Sequence, residues 1–427
     1  MTPGKAVARI LVLCLLVPAA TASPAGAGPA QTNLSTTPHF TPVDELPAQK
    51  GLPDPFVGPD GTRVRDRRGW DQQREYLKAM LAHYQYGHMP PAPDKVATQT
   101  LSSKPVFDGE AVQTLLTVTI ARHGREVPVR IGLIRPQRQG AFPLIIKNCF
   151  FLFDLSTVTD KRQREKTEKE NRVAVERAAF RKAVRRGYAV CKFIRTDLAL
   201  DRPDNRDTGV LALYPEYDWG TIAAWAWGYQ VVIAALVEDG RIDTDKVVVT
   251  GHSRGGKTAL CAGIYDERIA ITAPNSSGAG GTASWRFFEP GQRQQRIRNH
   301  VQPHRHWWVP RLFEFADQEV RLPFDAHTAK ALIAPRALIN THALQDYWAN
   351  PYGTQLTYQA AQIVFEWLGV GERQGIHWRP GGHAQGPEDW QALLDFCDGH
   401  FHGKKMGRKF DVLPYPKARP PMKWAAP

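Results

Sequence analysis

The chain has 427 residues, 42% of them hydrophobic and 23% charged, with a formal net charge of +13. This is the composition of a folded chain long enough to bury a large core, and it excludes an intrinsically disordered protein. The positive charge forms no basic arm. The densest run, Lys161 to Arg186, mixes both signs as a solvated helix face does, so nucleic-acid binding is not expected.

The N-terminus carries an export pattern. Lys5 and Arg9 are basic, Ile10 to Leu16 is apolar, and Ala20-Thr21-Ala22 is a small-x-small cleavage sequence. A signal peptide over 1–22 and a secreted or periplasmic protein are expected. The apolar stretch is too short to span a bilayer, so no stable membrane insertion is expected. Removal of Lys5 and Arg9 takes the charge from +13 to +11, which suits acidic polysaccharide or wall surfaces. Residues 23–60 are rich in Pro, Ala, Gly and Thr and predict a linker or extended arm. Residues 61–427 are expected to form one catalytic domain with a decorated N-terminus, as a monomer.

Helical spacing of Trp70, Tyr76, Leu77, Met80 and Leu81 predicts a helix from Trp70 to Tyr84. Leu115 to Ile120 and Val127 to Leu133 alternate as strands, with a hairpin turn at Arg122-His123-Gly124. The pattern then changes to short, wholly apolar runs: Pro143 to Ile146, Tyr188 to Phe193, Lys246 to Thr250, Ile269 to Thr272 and Ala337 to Asn340. Helical stretches such as Thr221 to Glu238 and Thr354 to Leu368 separate most of them. Strands apolar on both faces that alternate with helices predict an α/β fold: three layers, a mainly parallel sheet and helices on both faces. Beyond the leader the cysteines are Cys149, Cys191, Cys261 and Cys397, which allow three full pairings. The apolar surroundings of the first three favour buried thiols. No metal and no cofactor are expected.

The chemistry is concentrated at Gly251-His252-Ser253-Arg254-Gly255. Val247 to Thr250 leads in as a strand, and Lys257 to Tyr265 leads out as a helix. This is the context of the nucleophile elbow of the α/β-hydrolase fold. Ser253 is then the expected nucleophile, with the helix N-terminus behind it to favour developing negative charge. A serine nucleophile needs a base, and the base needs an acid, in the chain order Ser, acid, His. His383 follows the strand Ile376 to Arg379 and the flexible Pro380-Gly381-Gly382, which is the right address for the base. His377 lies within that strand, and His400 and His402 are expected beyond a helix from Asp389 to Phe396. Asp346, on the loop after Ala337 to Asn340, is the expected acid.

These residues resemble a known family. Gly251-His252-Ser253-Arg254-Gly255-Gly256-Lys257 is similar to the GCSRxGK elbow of the glucuronoyl esterases, which cleave lignin–glucuronate esters. The resemblance runs from about Trp70 through Ala223 to Gly228, Ser277 to Gly281, Trp285-Arg286, Asp325-Ala326-His327, Ala334-Pro335-Arg336 and Arg379 to His383. Glu388-Asp389-Trp390 looks like its bacterial branch. The resemblance implies a serine carboxylesterase in which Arg254 helps hold the oxyanion. It also implies that Lys257 and Trp348 contact the sugar. The chain departs from the fungal pattern in three places. Ser276 stands where the fungal acid is a glutamate, and His252 and Ala384 stand where fungal members place a disulfide. The segment from Gln292 to His306, where sugar-reading residues are expected, is unusually rich in Arg, Gln and His. Two other readings remain open on sequence: an acetylxylan or other carbohydrate or aryl esterase, and a non-catalytic carbohydrate-binding relative.

Overall fold

A computed structural model of the chain describes residues 38–427 apart from positions 92, 94, 157, 238 and 239. The expected signal peptide, and the expected arm as far as residue 37, lie outside the described residues. Pro38 to Pro427 form one compact unit. Over 38–60 the expected arm is packed on the domain: Phe40, Val43, Leu46, Leu52 and Phe56 are buried. Burying such side chains stabilises by roughly 1.5–3 kcal/mol each. These apolar residues are too widely spaced to read as an element, which is why composition alone suggests a linker.

Nine strands form one sheet: β1 (Lys95–Val106), β2 (Ala111–Arg122), β3 (Arg125–Pro136), β4 (Phe142–Cys149), β5 (Ala189–Ile194), β6 (Ile242–His252), β7 (Ile269–Asn275), β8 (Ala337–Ala343) and β9 (Gln374–Arg379). Their order is β1-β2-β3-β5-β4-β6-β7-β8-β9. The first three pairings are antiparallel and the remaining five are parallel. The β2–β3 hairpin turns on His123 and Gly124, both at positive φ, as a tight two-residue connection requires. Strand β1 was not foreseen. Its Thr-Gln-Thr-Leu-Ser-Ser-Lys sequence is polar and exposed on the sheet edge, so it carries no apolar alternation. Its register skips Leu101 between Thr100 and Ser102, a bulge.

The helices that frame the sheet are α1 (Arg67–Leu81), α2 (Lys161–Lys169), α3 (Arg172–Arg186), α4 (Thr221–Val237), α5 (Arg254–Tyr265), α6 (Pro351–Trp367) and α7 (Pro387–His402). Helix α1 continues into a wider turn over Ala82–Tyr86, and α7 runs past the predicted Phe396, so His400 and His402 belong to its last turn. The central strands alternate between two cores because successive side chains of a strand point to opposite faces. Leu144, Ile146, Val247, Val249 and Leu338 join the core that holds α4 and α5. Ile145, Val248 and Ile339 join the core beneath α3 and α7. The result is the three-layer α/β-hydrolase arrangement. Helix α4 is apolar almost all round, with Trp225 and Trp227 fully buried, as a helix sealed on every side must be. Among the described residues no helix is long and apolar enough to cross a membrane.

From β4 the chain moves to β5 on one side and then returns to β6 on the other. The carboxyl ends of β4 and β6 therefore flank a switch in winding direction, where an open α/β sheet leaves a crevice.

Candidate active site

Ser253 joins β6 to α5 at φ 59 and ψ −122, a strained conformation for a residue with a side chain. The strain is held by its surroundings. The Ser253 amide donates to the Asn275 carbonyl at 3.0 Å. A Cβ on Gly251 would stand 2.2 Å from the Gly255 carbonyl oxygen, and one on Gly256 would meet the Asn275 carbonyl oxygen at 2.9 Å. Strand and helix approach each other this closely only because these residues lack side chains. The turn exposes Ser253 to a cavity of about 300 Å³, shared with Arg254, Lys257, Trp348 and His383.

The loops after β8 and β9 bring Asp346 and His383 together. The strand pairing continues beyond the sheet, as the Leu344 amide donates to Arg379 O at 2.9 Å and the Gln345 amide to Gly381 O at 3.1 Å. The Arg379 guanidinium then holds the His383 loop from inside. It donates to the carbonyls of Pro380, Gly382 and Ala384 and pairs with Asp389 at 2.6 Å. His383 Nδ1 lies 2.7 Å from Asp346 Oδ2. An ionised carboxylate only accepts, so Nδ1 carries the proton and Nε2 presents its lone pair. Asp346 is buried. Burial raises its pKa, but the hydrogen bond from His383, with smaller help from His342, outweighs it and holds the carboxyl below its usual value.

Arg254 is fixed rather than free. It pairs with Asp201 and lies over the Trp307 ring at 4.7 Å. Asp201 also accepts from Trp307 Nε1 at 2.8 Å and contacts His306 Nε2 at 3.1 Å. Burial alone would raise the Asp201 pKa; His306, Arg254 and Arg195 together hold it well below the carboxylate range. The guanidinium is thus kept at the rim of the elbow.

Lys257 is buried, in contrast to a solvated residue of the elbow helix. Its ammonium donates to Ser277 O at 2.6 Å, Ala279 O at 2.5 Å and Gln295 Oε1 at 3.0 Å. Burial pushes its pKa down to about 7, with Arg254 adding to the effect and Asp346 opposing it. Trp348 is 39% exposed at the cavity mouth, and its carbonyl accepts from the Gln295 amide at 3.2 Å. The cavity therefore gathers all six residues singled out in the sequence: Ser253, His383 and Arg254 around the elbow, Lys257 and Trp348 on one wall, and Asp346 behind His383.

Several further residues were not foreseen. Gln295 is the member of the Gln292 to His306 segment that reaches Lys257. Asp201 sits on a loop after β5, at the same sheet edge as the other residues, and that address is the signal that could have found it. His252 stacks against His383 with ring centres 4.5 Å apart. Its Nδ1 lies 2.6 Å from Asn275 Oδ1, while Asn275 Nδ2 donates to Thr341 Oγ1 at 2.8 Å. Burial, reinforced by the nearby His383, pushes the His252 pKa well below its ordinary value, so this ring is neutral. Cys149, Cys191, Cys261 and Cys397 are buried free thiols. His300 and His304 have ligand-like spacing, but each ring is engaged elsewhere. His300 Nδ1 accepts from Trp308 Nε1 at 3.1 Å, and His304 stacks on Trp307 at 3.9 Å. Among the described residues no group of three His, Cys, Asp or Glu side chains is placed to hold a metal ion.

Residues 157–369 match the family described as glucuronyl esterase, fungi. A carbohydrate esterase from an unknown prokaryotic organism is 31% identical over 399 residues, covering 82% of this chain and 90% of the relative. A 4-O-methyl-glucuronoyl methylesterase of Phanerochaete chrysosporium is 27% identical, covering 84% of this chain and 70% of that protein. The solved structure of a carbohydrate esterase family 15 glucuronoyl esterase from Caldicellulosiruptor kristjansonii superposes with a TM-score of 0.73 at 30% identity. The match covers 90% of this chain and 99% of that one. With this likeness over 90% of the prokaryotic relative and 99% of the solved structure, the chain belongs to the glucuronoyl esterase family and is a carboxylic ester hydrolase.

Proposed function

We propose that this protein hydrolyses esters of glucuronic acid in lignin–carbohydrate material, through a Ser253–His383–Asp346 triad and an acyl-enzyme. The observation that carries the triad is the 2.7 Å bond between His383 Nδ1 and Asp346 Oδ2, in the cavity onto which the strained Ser253 opens. Ser253 Oγ attacks the ester carbonyl carbon as its proton passes to His383 Nε2. Asp346 stabilises the imidazolium and keeps its orientation. The oxyanion of the tetrahedral intermediate is held by the Arg254 amide at the start of α5 and by the Arg254 guanidinium. Collapse breaks the bond to the alcohol oxygen, and His383 returns its proton to that leaving group. Water, activated by the same imidazole, then attacks the acyl carbonyl and frees Ser253 and glucuronate.

The glucuronoyl specificity rests on Lys257, Gln295 and Trp348, which form one wall of the cavity. The Gln295 amide suits a sugar hydroxyl, the Lys257 ammonium, its three donors held by protein acceptors, adds positive charge to this wall, and the indole offers an apolar face with a polar edge. The protein acts after export, as the basic, apolar and small-x-small pattern of residues 1–22 indicates. The test is hydrolysis of benzyl or methyl glucuronate beside an acetylated sugar, by the wild type and Ser253→Ala. Cleavage of glucuronate esters that disappears in the variant is expected. Cleavage of acetate alone would retain the serine chemistry and refute the substrate; activity surviving in Ser253→Ala would refute the nucleophile.

A further inference from the structure

Beside Lys257 and Trp348, the cavity has a second wall built from the end of β4 and from α2 and α3. It is rich in cations. Arg172 and Lys166 stand at the rim and share one carboxylate, Glu170. Beneath them Lys147 lies 2.9 Å from Glu176, which Lys192 also approaches at 2.5 Å. Arg195, 7% exposed, lines the same space. It donates to Asn148 Oδ1 at 3.3 Å and lies over the Trp225 ring at 4.9 Å. Its buried Nε has no hydrogen-bond partner among the described residues. Among the residues that line this side of the cavity, the cations Lys147, Lys166, Arg172 and Arg195 stand against one carboxylate, Glu176, and Glu170 adds a second at the rim. A glucuronate ester carries no charge at its carboxyl, so the scissile group does not account for this excess.

The side on which the wall lies identifies what it meets. His383 hands its proton to the leaving alcohol, so that alcohol lies against His383. His252 packs on His383, and both line the same cavity as Arg172 of α3. With the sugar against Lys257 and Trp348, the alcohol moiety is directed toward α2 and α3. Phe150, half-buried and edge-on to Phe151 with ring centres 5.1 Å apart, gives this wall an aromatic surface.

We infer that this wall is a subsite for the alcohol moiety of the ester, and that it favours an aromatic alcohol bearing a carboxylate. The inference rests on the glucuronate-ester function proposed above. The carboxylate meets Arg172 and Lys166, whose shared Glu170 leaves one positive charge uncompensated, while the ring packs near Phe150. A charge-assisted contact of this kind at a partly exposed rim is screened by salt.

The test compares the benzyl, 4-carboxybenzyl and 4-(aminomethyl)benzyl esters of glucuronic acid as substrates. The expected order of kcat/KM is carboxybenzyl, benzyl, aminomethylbenzyl, with about five-fold between the first two at low ionic strength. In about 0.5 M salt the spread should narrow. In the Lys166→Gln/Arg172→Gln double variant, with folding checked by circular dichroism and Tm, the carboxybenzyl-to-benzyl ratio should fall to about one. Equal rates for the three esters in the wild type, or a ratio the double variant leaves in place, would overturn this inference and leave the glucuronoyl reading standing. Failure to cleave any glucuronate ester would overturn that reading and the subsite with it.

Discussion

The proposed mechanism gives two side chains of the site different work, and substitution separates them. Asp346 is a buried acceptor whose partner is the Nδ1 proton of His383. In the proposed triad, Asp346→Asn would remove the charge that stabilises the imidazolium and allow the amide to select the wrong tautomer. Steady-state kinetics on benzyl glucuronate should show kcat reduced by about 10²–10⁴-fold with KM little changed. Lys257 makes no such contact with the base. Its pKa, pushed down to about 7 by burial, means that its charge is present below that pH and is lost as pH rises through it. If that charge holds the sugar, KM should rise from pH 6 to pH 8 in the wild type. Lys257→Met should have a higher KM, by about ten-fold, that no longer changes over this range. A wild-type KM flat with pH would remove Lys257 from charge-based binding.

Helix α3 packs on the sheet through an apolar face, and one buried carboxylate, Glu176, ties it to β4 and β5. Burial opposes the charge on Glu176, but Lys147 and Lys192 outweigh it and hold its carboxyl down to about 2. A depressed carboxyl stabilises the fold fully above its ordinary value of 4.5 and loses that contribution as pH falls toward about 2. Glu176→Gln leaves two buried lysines without their counter-charge and should cost about 3–5 kcal/mol in denaturant unfolding at pH 7. The difference from wild type should shrink at pH 3. This network could not be read in the sequence, because Lys147 and Lys192 sit inside apolar strand runs and Glu176 in a mixed-charge helix. The elements themselves were legible wherever one period dominates. The five apolar runs became β4 to β8 because both of their faces are covered. The elbow was legible because the close approach of strand and helix requires Gly251 and Gly255, and they frame a serine in a strand-turn-helix sequence. Asp346 and His383 could be placed by chain order and strand address. The braces, Asp201, Asn275 and Arg379, were not legible, since their partners are distant in sequence and set by the fold alone.

Across the whole molecule, the segments at the two ends of the described chain are joined. Trp424 Nε1 donates to Leu52 O at 2.8 Å, the Leu52 amide donates to Pro421 O at 2.7 Å, and Phe56 meets Trp70, Trp367 and Trp424 edge-on or tilted. Trp424→Ala should therefore lower stability by about 2 kcal/mol, less than a fully buried indole because it is partly exposed. Denaturant unfolding checks this, and an unchanged midpoint would mean that the two segments dock independently. At the far edge of the sheet, β1 ends the hydrogen-bonded ladder facing solvent. An open edge of twelve residues could template cross-β growth with other chains. The bulge at Leu101 interrupts that row halfway, and Pro105 removes a donor near its end. The edge offers two short, misaligned stubs instead of one continuous template, which keeps the strand from seeding aggregation.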